Sequence, residues 1–321
     1  MMKGINFFLK LFNAIIISFL EHLRKIRGFD SHFMISSPLT RNQRNRALWK
    51  IKVYLPLFNL DSNLKRNVSS NIPLDVFIPI SSKDSQSLKR VIDSINKNIK
   101  HPINNIYIVS TADHSLLTFC QNEGLIFIDE NSMLGYNKSR IVYKHNNQDR
   151  SGWLFQQLLK LNSDSICQMD NILILDADTS FVRPRIFIRK NKFIIDQSEE
   201  RHEPYHNVYE KMLGRKTTSP LSFITHYMIF NKSILTELKQ KIEKMHNCKW
   251  DEAIITYNDY SSNSGFSEYE LYGNYIYENH RKNISLAYWF NVNTLPDTYP
   301  NYIKSISLHS YLKTTTNKFY N

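Results

Sequence analysis

From about residue 71 the chain alternates short apolar runs with stretches in which apolar residues recur every three or four positions. Four runs predict buried strands, at residues 74–80, 106–109, 125–128 and 172–175. Helical spacing between them predicts helices over residues 84–98 and 152–161. The last strand is apolar throughout, as expected when helices cover both faces of a parallel sheet. This order predicts an α/β domain with a mainly parallel sheet over residues 71–321.

The first thirty residues show a different pattern, with apolar side chains on one face of a predicted helix and mostly polar ones on the other. Lys10 and Asn13 interrupt the apolar run, and no small-x-small cleavage site follows, which argues against a signal peptide. The uninterrupted part, residues 14–20, is far shorter than the roughly 20 residues that a membrane-spanning helix needs. We therefore predict an amphipathic helix over residues 1–30 that lies in a membrane interface. Packing against the protein's own core or a partner is the alternative.

The positive charge of the chain is concentrated near its start. The formal net charge is +12, with 41 Lys and Arg against 29 Asp and Glu, and this predicts an anionic partner. Twelve of the basic residues but only three acidic ones lie within residues 1–70, and residues 31–70 are predicted to form a basic connector. Little excess charge remains for residues 71–321, which argues against a nucleic-acid groove there. The charge instead favours an anionic membrane surface as partner.

Composition sets the broad class of the protein. With 321 residues, 42% of them hydrophobic, the chain can bury a sizeable core, which excludes a disordered or fibrous protein. The three cysteines, Cys120, Cys167 and Cys248, form no C-x-x-C pair that would bind zinc or perform redox chemistry, and they fit a reducing cytosol.

Two acidic residues follow the fourth predicted strand directly, in the sequence Asp176-Ala177-Asp178-Thr179. Open parallel sheets bind ligands at the carboxyl ends of their strands, and two carboxylates two residues apart can converge on one hard divalent cation. Such a cation can neutralise the diphosphate that departs when a sugar leaves a nucleotide donor. The motif is short, but it is the only D-x-D in the sequence. We predict Asp176 and Asp178 as ligands of Mn²⁺ or Mg²⁺; a polar turn that caps the next segment is the alternative.

Two other uses of paired aspartates can be compared with this one. An EF-hand loop that began at Asp176 would need Gly in place of Phe181 and Glu in place of Phe187, so it is excluded. A phosphohydrolase of the haloacid dehalogenase type also carries D-x-D after a strand, but its D-x-D-x-T motif has Thr where this chain has Ser180. That strand also usually opens the domain, whereas three strands precede it here. A phosphohydrolase remains a weaker alternative.

Four segments follow one another in a characteristic order: the Lys83-Asp84 pair after the first strand, GWLFQQLLKL at 152–161, LILDADT at 173–179 and FSEYELYG at 266–273. Together they resemble a bacterial family of glycosyltransferase-like proteins with the GT-A fold, over roughly residues 72–312. The resemblance implies a Rossmann-like GT-A catalytic domain, a nucleotide-sugar donor and a divalent metal held by the D-x-D. It also implies a sugar, polysaccharide or lipid-linked acceptor. Residues 1–70 lie outside it.

The resemblance implies roles for individual side chains around the metal. His309 stands where many metal-dependent GT-A enzymes bring a late histidine onto the cation, and neutral imidazole suits Mn²⁺; a structural histidine at the end of an apolar run is the alternative. Lys83 and Asp84 stand where the base and ribose of the donor dock in this fold, although Asp84 is equally suited to cap a helix. His226 is placed like an acceptor-site residue of the family, with a packed strand histidine as the alternative.

Polar residues of two predicted helices complete the candidate site. Gln156 and Lys160 share a helix face and, with Gln157, are predicted to reach the phosphate or sugar of the donor; a merely solvated Lys160 is the alternative. Glu268 is the predicted base that accepts the proton of the acceptor hydroxyl in an inverting transfer. In a retaining transfer it binds sugar hydroxyls instead, and a solvated helix face is the further alternative. Glu270, predicted at the acceptor site, points elsewhere on the same helix.

Taken together, these features favour a metal-dependent glycosyltransferase in the cytoplasm, peripheral on the inner face of the cell membrane, with a surface-polysaccharide or lipid-linked acceptor. The second hypothesis is a catalytically silent α/β protein that binds anionic lipid or nucleic acid. Loss of donor binding on replacement of the two aspartates separates the two hypotheses.

Overall fold

A computed structural model describes residues 41–58, 60, 68–81, 85–295 and 298–308. The predicted amphipathic helix at residues 1–30 lies outside the described residues. The strands are β1 Leu74–Pro79, β2 Ile103–Ser110, β3 Ile126–Asp129, β4 Lys144–His145, β5 Gln148–Asp149, β6 Asn171–Leu175, β7 Thr179–Phe181, β8 Ile188–Arg189, β9 Lys192–Gln197, β10 Tyr227–Asn231, β11 Ile284–Tyr288, β12 Asn291–Val292 and β13 Ser305–Ser307. The α-helices are α1 Arg41–Leu48, α2 Ser85–Asn98, α3 His114–Glu123, α4 Ser151–Leu161, α5 Glu203–Leu213, α6 Lys232–His246, α7 Trp250–Tyr257 and α8 Glu268–Asn279.

Shorter helical pieces complete this inventory. Helix α1 continues as a π-helix over Trp49–Tyr54 and an α-helical turn over Leu55–Leu57. Single 3₁₀ turns occupy Glu130–Ser132, Lys138–Arg140, Ser163–Ser165 and Arg281–Asn283.

The central sheet has five strands in the order β10-β6-β1-β2-β3. Strands β6, β1, β2 and β3 run parallel, and β10 pairs with β6 in the antiparallel direction. Every residue of β1 is buried, as expected of a central strand with both faces covered. The predicted mixed α/β fold with a mainly parallel sheet is confirmed, and all four predicted strands belong to this sheet.

The helices cover the sheet with the apolar faces that their sequences predict. Leu88, Val91, Ile92 and Ile95 of α2 are all buried in the main core. Helix α3 begins where the Asp113 carboxylate accepts a hydrogen bond from the Leu116 N–H, and it ends at Gly124, whose positive φ suits glycine. The buried apolar face of α2 and the capped ends of α3 therefore both match what their local sequences favour.

The antiparallel strand β10 brings a distant segment to the carboxyl edge of the sheet. Tyr227 is its first residue and pairs with Leu175, the last residue of β6. Residues 176 and 226, which come just after β6 and just before β10, are therefore neighbours. Their backbones are joined directly, because the Asp176 N–H donates to the His226 carbonyl over 3.0 Å.

A small sheet, ordered β12-β13-β7, ties a third segment to the same edge. Strand β13 pairs antiparallel with β7, which begins at Thr179. The Leu308 N–H then donates to the Asp178 carbonyl over 3.0 Å, and the Thr179 and Ser307 hydroxyl oxygens lie 2.9 Å apart. The loop after β6 is therefore hydrogen-bonded to the end of β13 and to the residue that follows it.

A second small sheet, ordered β11-β9-β8, contains a buried cluster of charges. The Asp196 carboxylate lies 2.5 Å from an Arg185 guanidinium nitrogen and 3.2 Å from Lys304 Nζ, and it accepts the Tyr227 hydroxyl over 2.7 Å. All four residues are buried. The cluster joins this sheet to β10 and to the segment before β13.

Part of the predicted basic connector is helical. Helix α1 and its continuation bury Ile51 in a small cluster with Leu221 and Tyr288, and Lys52 forms an ion pair with Glu199. Within the described residues, no helix combines the length and the apolar character that crossing a membrane requires.

Candidate metal centre and active site

Asp176, Asp178 and His226 form a cluster of metal-ligating groups at the carboxyl edge of the sheet. One ligand atom from each of the three residues lies within 4.8 Å of those of the other two. All three residues are half-buried. Two carboxylate oxygens and an imidazole nitrogen match the ligand chemistry of Mn²⁺ and related divalent cations. The residues therefore fit the predicted metal.

The backbone of His226 is unusual for a residue with a side chain. Its φ is +56°, in the left-handed region that few residues other than glycine adopt. Its ring stacks on Trp289, with centroids 4.9 Å apart and planes 22° apart. Its Nδ1 lies 3.7 Å from Oδ2 of Asp176. The ring is thus fixed on one face by Trp289, and its Nδ1 lies near the carboxylate.

A buried lysine lies behind the metal-ligating cluster. Lys160 Nζ donates to Oδ1 of Asp176 over 2.5 Å and to Oε1 of Glu268 over 2.8 Å. The Tyr269 hydroxyl donates to the same Asp176 oxygen over 3.0 Å. Oδ1 of Asp176 therefore has two internal donors, and Oδ2 is the oxygen near His226.

Burial and neighbouring charges shift the pKa values of Lys160, Glu268 and Tyr269. Burial alone would lower the pKa of Lys160, but Asp176 and Glu268 outweigh it and hold that pKa above its ordinary value. Burial raises the pKa of Glu268; Lys160 opposes that rise and Asp176 adds to it. The pKa of Tyr269 is raised well above its ordinary value by burial and by Asp176, so the phenol remains a donor. Lys160 is therefore the permanent cation of the group.

The loop that carries the two aspartates is held from several sides. The Ser87 hydroxyl of α2 donates to the Ala177 carbonyl over 2.9 Å. The Thr179 hydroxyl lies 3.1 Å from Oδ1 of Asp178, and the Thr179 N–H donates to the Asp176 carbonyl over 3.1 Å. These contacts orient the D-x-D segment before any ligand binds.

Three predicted donor-site residues lie on α4, in different environments. Lys160 is buried, which excludes the merely solvated alternative. Gln157 is also buried, and its amide donates to the Trp153 carbonyl over 3.3 Å. Gln156 is half-buried. Their predicted contacts with a donor remain predictions.

The two glutamates of α8 point to different partners, as their spacing predicts. Glu268 is fully buried against Lys160, so the solvated-face alternative is excluded. Glu270 is also buried and accepts hydrogen bonds from the Ser222 hydroxyl over 2.9 Å and the Phe223 N–H over 2.8 Å. Its predicted acceptor-binding role and the predicted base role of Glu268 remain predictions.

Three predicted site residues, Lys83, Asp84 and His309, lie outside the described residues. Their roles as donor-site residues and late metal ligand remain predictions. The neighbouring Leu308, however, is hydrogen-bonded to the Asp178 backbone.

Several partners of the site were not predicted from the sequence. The pairing of Lys160 with Glu268 joins residues 108 positions apart, and no local spacing indicates it. Tyr269 lies inside the FSEYELYG segment, in which only the glutamates carry predicted roles. Trp289 carries no sequence signal of its own, because its contact with His226 depends on how β11 is placed.

The chain belongs to the family described as a family of unknown function (DUF6492), which matches residues 74–313. A search of the curated proteins finds no match to it. Among solved structures, mouse xyloside xylosyltransferase 1 in its apo form is similar at a TM-score of 0.44 and 11% identity, covering 75% of this chain and 99% of that one. The galactosyltransferase LgtC, in complex with donor and acceptor sugar analogues, is similar at a TM-score of 0.42 and 13% identity, covering 73% of this chain and 86% of that one.

Proposed function

We propose that the protein is a metal-dependent glycosyltransferase of the GT-A type, which moves a sugar from a nucleotide-sugar donor to a glycan or lipid-linked acceptor. The observation that carries this proposal is the placement of Asp176 and Asp178. They leave the central sheet together at its carboxyl edge, where open parallel sheets bind ligands. A ring nitrogen of His226 lies within 4.8 Å of their carboxylate oxygens.

The bound cation would neutralise the negative charge that develops on the departing nucleotide diphosphate. In this proposal Asp176 and Asp178 hold that cation, and Lys160 fixes the orientation of the Asp176 carboxylate through Oδ1. Lys160 also places a positive charge beside the reaction centre in a region shielded from water, where its field is strong.

Glu268 has two roles within this proposal. It balances the charge of Lys160, and it is the candidate base for an inverting transfer, since burial raises its pKa above its ordinary value and makes it a stronger proton acceptor. Its side chain is fully buried. An acceptor hydroxyl can therefore reach its carboxylate only if substrate binding exposes it.

Replacement of the two aspartates tests the proposal. The purified protein is incubated with a panel of nucleotide sugars and Mn²⁺, and slow donor hydrolysis is followed by mass spectrometry. We expect hydrolysis of at least one donor, and loss of both hydrolysis and Mn²⁺-dependent heat stabilisation in Asp176→Ala and Asp178→Ala. Asp93→Ala removes an exposed carboxylate paired with Lys89 and serves as the matched control. Unchanged hydrolysis and heat stabilisation in both site variants would contradict the role of the aspartates, and absence of both in the wild-type chain would favour the silent binding-protein hypothesis. His309→Ala in the same assay tests the predicted late ligand.

We further propose that the protein acts in the cytoplasm, at the anionic inner surface of the cell membrane. Residues 41–60 contain five basic side chains and no acidic one. At the end of the same segment Leu57, Phe58 and Leu60 are 73%, 59% and 51% exposed. Basic residues beside exposed apolar ones favour binding to anionic headgroups with shallow insertion.

Vesicle co-sedimentation tests the membrane proposal. We expect the full chain to pellet with vesicles that contain phosphatidylglycerol and to remain in the supernatant with neutral phosphatidylcholine. Deletion of residues 1–30 and the double variant Leu57→Ser/Phe58→Ser should each reduce pelleting. Leu295→Ser, which replaces another exposed leucine, should leave it unchanged. If the deletion variant pellets like the full chain, residues 1–30 are not the anchor.

A further inference from the structure

We propose that His226 supplies a nitrogen ligand to the cation held by Asp176 and Asp178, and that Glu270 is the positioning residue that fixes the loop carrying His226. This inference deepens the proposed function and rests on it. It assigns both residues roles different from the acceptor-site roles that the sequence predicts.

The orientation of Asp176 leaves one oxygen for such a cation. Oδ1 accepts hydrogen bonds from Lys160 and Tyr269, whereas Oδ2 lies 3.7 Å from Nδ1 of His226. Adjacent ligand atoms of an octahedral cation with bonds of about 2.1 Å lie about 3.0 Å apart, and opposite ones about 4.2 Å. The separation between Oδ2 and Nδ1 is about 0.7 Å wider than that of adjacent ligands, so a small side-chain shift would bring both atoms onto one cation. All the ligand atoms of the cluster lie within 4.8 Å of one another.

The imidazole is held in place by contacts with distant parts of the chain. Trp289 stacks on its ring, and the His226 carbonyl accepts the Asp176 N–H over 3.0 Å. The left-handed backbone of His226 persists because these contacts and the pairing of Tyr227 with Leu175 determine it from both sides. A histidine that only filled space in a strand would not need this conformation.

Glu270 anchors the loop that leads to His226. Its Oε2 accepts both the Ser222 hydroxyl and the Phe223 N–H. Its Oε1 accepts the amide of Asn274 over 3.1 Å and lies 3.2 Å from Nε2 of His206. The carboxylate is fully buried among these donors, so it has little surface left for an acceptor sugar.

Gly273, one turn along α8 from Glu270, lets the loop approach the helix closely. A Cβ at this position would lie 2.4 Å from both Cβ and Cγ of Phe223. Phe223 is therefore seated directly on the helix backbone, three residues before His226. Helix α8 therefore holds the loop in two ways: the Glu270 carboxylate accepts hydrogen bonds from it, and Gly273 allows Phe223 to pack directly on the helix backbone.

An imidazole ligand also changes which cations the site prefers. Carboxylate and water ligands suit Mg²⁺, whereas nitrogen ligands favour first-row transition metals, whose affinities rise from Mn²⁺ to Co²⁺. If His226 is a ligand, its removal should weaken Mn²⁺ and Co²⁺ binding more than Mg²⁺ binding. A role in acceptor binding alone would leave this selectivity unchanged.

Metal titration of the full chain tests the assignment of His226. Mn²⁺ binding is measured from the electron paramagnetic resonance signal of free Mn²⁺, and Co²⁺ and Mg²⁺ by competition, without any substrate. We expect His226→Ala to raise the Kd for Mn²⁺ and Co²⁺ about tenfold or more, and to change that for Mg²⁺ much less. His114→Ala, at an exposed histidine, is the matched control.

The outcomes separate this inference from the proposed function. If the wild-type chain binds Mn²⁺ and loses it in Asp176→Ala but not in His226→Ala, the metal site stands and the His226 assignment is wrong. An increased acceptor KM in that variant would restore the acceptor role. If the wild-type chain binds no divalent cation, both proposals fail.

The role of Glu270 is tested by a conservative and a truncating variant. Glu270→Gln keeps an oxygen that can accept from Ser222 and Phe223, so Mn²⁺ affinity should stay near the wild-type value. Glu270→Ala should weaken Mn²⁺ binding, and combining it with His226→Ala should add little, because both act on the same ligand. Equal metal affinity in Glu270→Ala and wild type, with only a lower Tm, would reduce Glu270 to a structural residue.

Discussion

Lys160 and Glu268 form a buried ion pair, 2.8 Å long, between the last turn of α4 and the first turn of α8. The same ammonium group contacts Asp176, so one buried cation serves two carboxylates. The pair therefore joins two helices behind the loop that carries Asp176 and Asp178. Its disruption should affect both the fold and the site.

Removing the Lys160 ammonium group alone should destabilise the protein strongly. In Lys160→Met, Asp176 and Glu268 lose their shared positive partner, and we expect a loss of about 3–5 kcal/mol in the free energy of unfolding. Lys160→Met/Glu268→Gln restores the net charge of the group, so it should lose less than the sum of the two single variants. Urea unfolding of the metal-free proteins measures both effects. Strict additivity would show that the two residues do not interact.

A methyl group at Gly273 should destabilise the protein. Gly273→Ala places a Cβ 2.4 Å from Phe223, and overpacking of this kind costs about 1–3 kcal/mol. Gly152→Ala is the matched control, because a Cβ there would meet nothing closer than 3.8 Å. That variant should be neutral or stabilised by up to about 1 kcal/mol. Thermal unfolding gives the Tm of both variants. Equal Tm values would show that Phe223 does not pack closely on Gly273.

Loss of the negative charge at Asp196 should also destabilise the fold. Lys304 and Arg185 outweigh burial and lower the pKa of Asp196, which therefore stays ionised between two buried cations. Asp196→Asn leaves those cations without a counter-charge, and we expect a loss of about 3–5 kcal/mol. Asp93→Asn, at an exposed pair with Lys89, should change stability by no more than about 1 kcal/mol. A small effect at Asp196 would show that the cluster is solvated.

His101 should make stability fall in mild acid. Its Nδ1 donates to the Ile72 carbonyl over 2.9 Å, and its Nε2 accepts the Phe187 N–H over 2.9 Å, so only the neutral ring satisfies both contacts. Burial lowers the pKa of His101, and the Ile72 contact opposes this only partly. In the unfolded chain His101 has its ordinary pKa of about 6.5, so the unfolded chain binds a proton more readily than the folded one. The stabilisation that neutral His101 provides is therefore fully present above about pH 6.5. It is lost as the pH falls toward the lower pKa of the folded protein.

The measurement compares the free energy of unfolding at about pH 7.5 and about pH 5.5 in wild type and His101→Gln. We expect the wild type to lose more stability on acidification than the variant does. His114→Gln, at an exposed position, should keep the wild-type pH dependence. An unchanged dependence in His101→Gln would assign the acid sensitivity to other groups.

The central sheet could be predicted because its pattern is local. Buried parallel strands leave continuous apolar runs, and the helix that crosses between them leaves a periodic one, as in Leu88, Val91, Ile92 and Ile95. The small sheets could not be predicted in the same way. Strands of two or three residues, such as β8 and β13, carry too few positions to show a period, and they are fixed by pairing with distant segments.

The residues of the candidate site also divide into those that a local pattern predicts and those whose environment depends on distant segments. Asp176 and Asp178 could be singled out because they come directly after an obvious strand. The environment of Lys160 could not, since an exposed lysine and a buried one have the same local sequence, and the difference depends on Glu268, 108 residues later. The sequence also could not show that β10 is antiparallel, and that direction is what places residue 226 beside residue 176.

The hydrogen bond from Leu308 to Asp178 has a consequence for the order of folding. The five-stranded sheet uses residues 74–231, whereas the loop after β6 is fully secured only when β13 has paired with β7. Pairing of such distant segments costs loop-closure entropy before its contacts are gained, so we expect β13 to dock after the sheet has formed. Until β13 docks, the Asp178 backbone lacks the contact with Leu308, and the loop that carries the two aspartates is less constrained. In the proposed function, metal affinity therefore reports the docking of β13, which secondary-structure content does not.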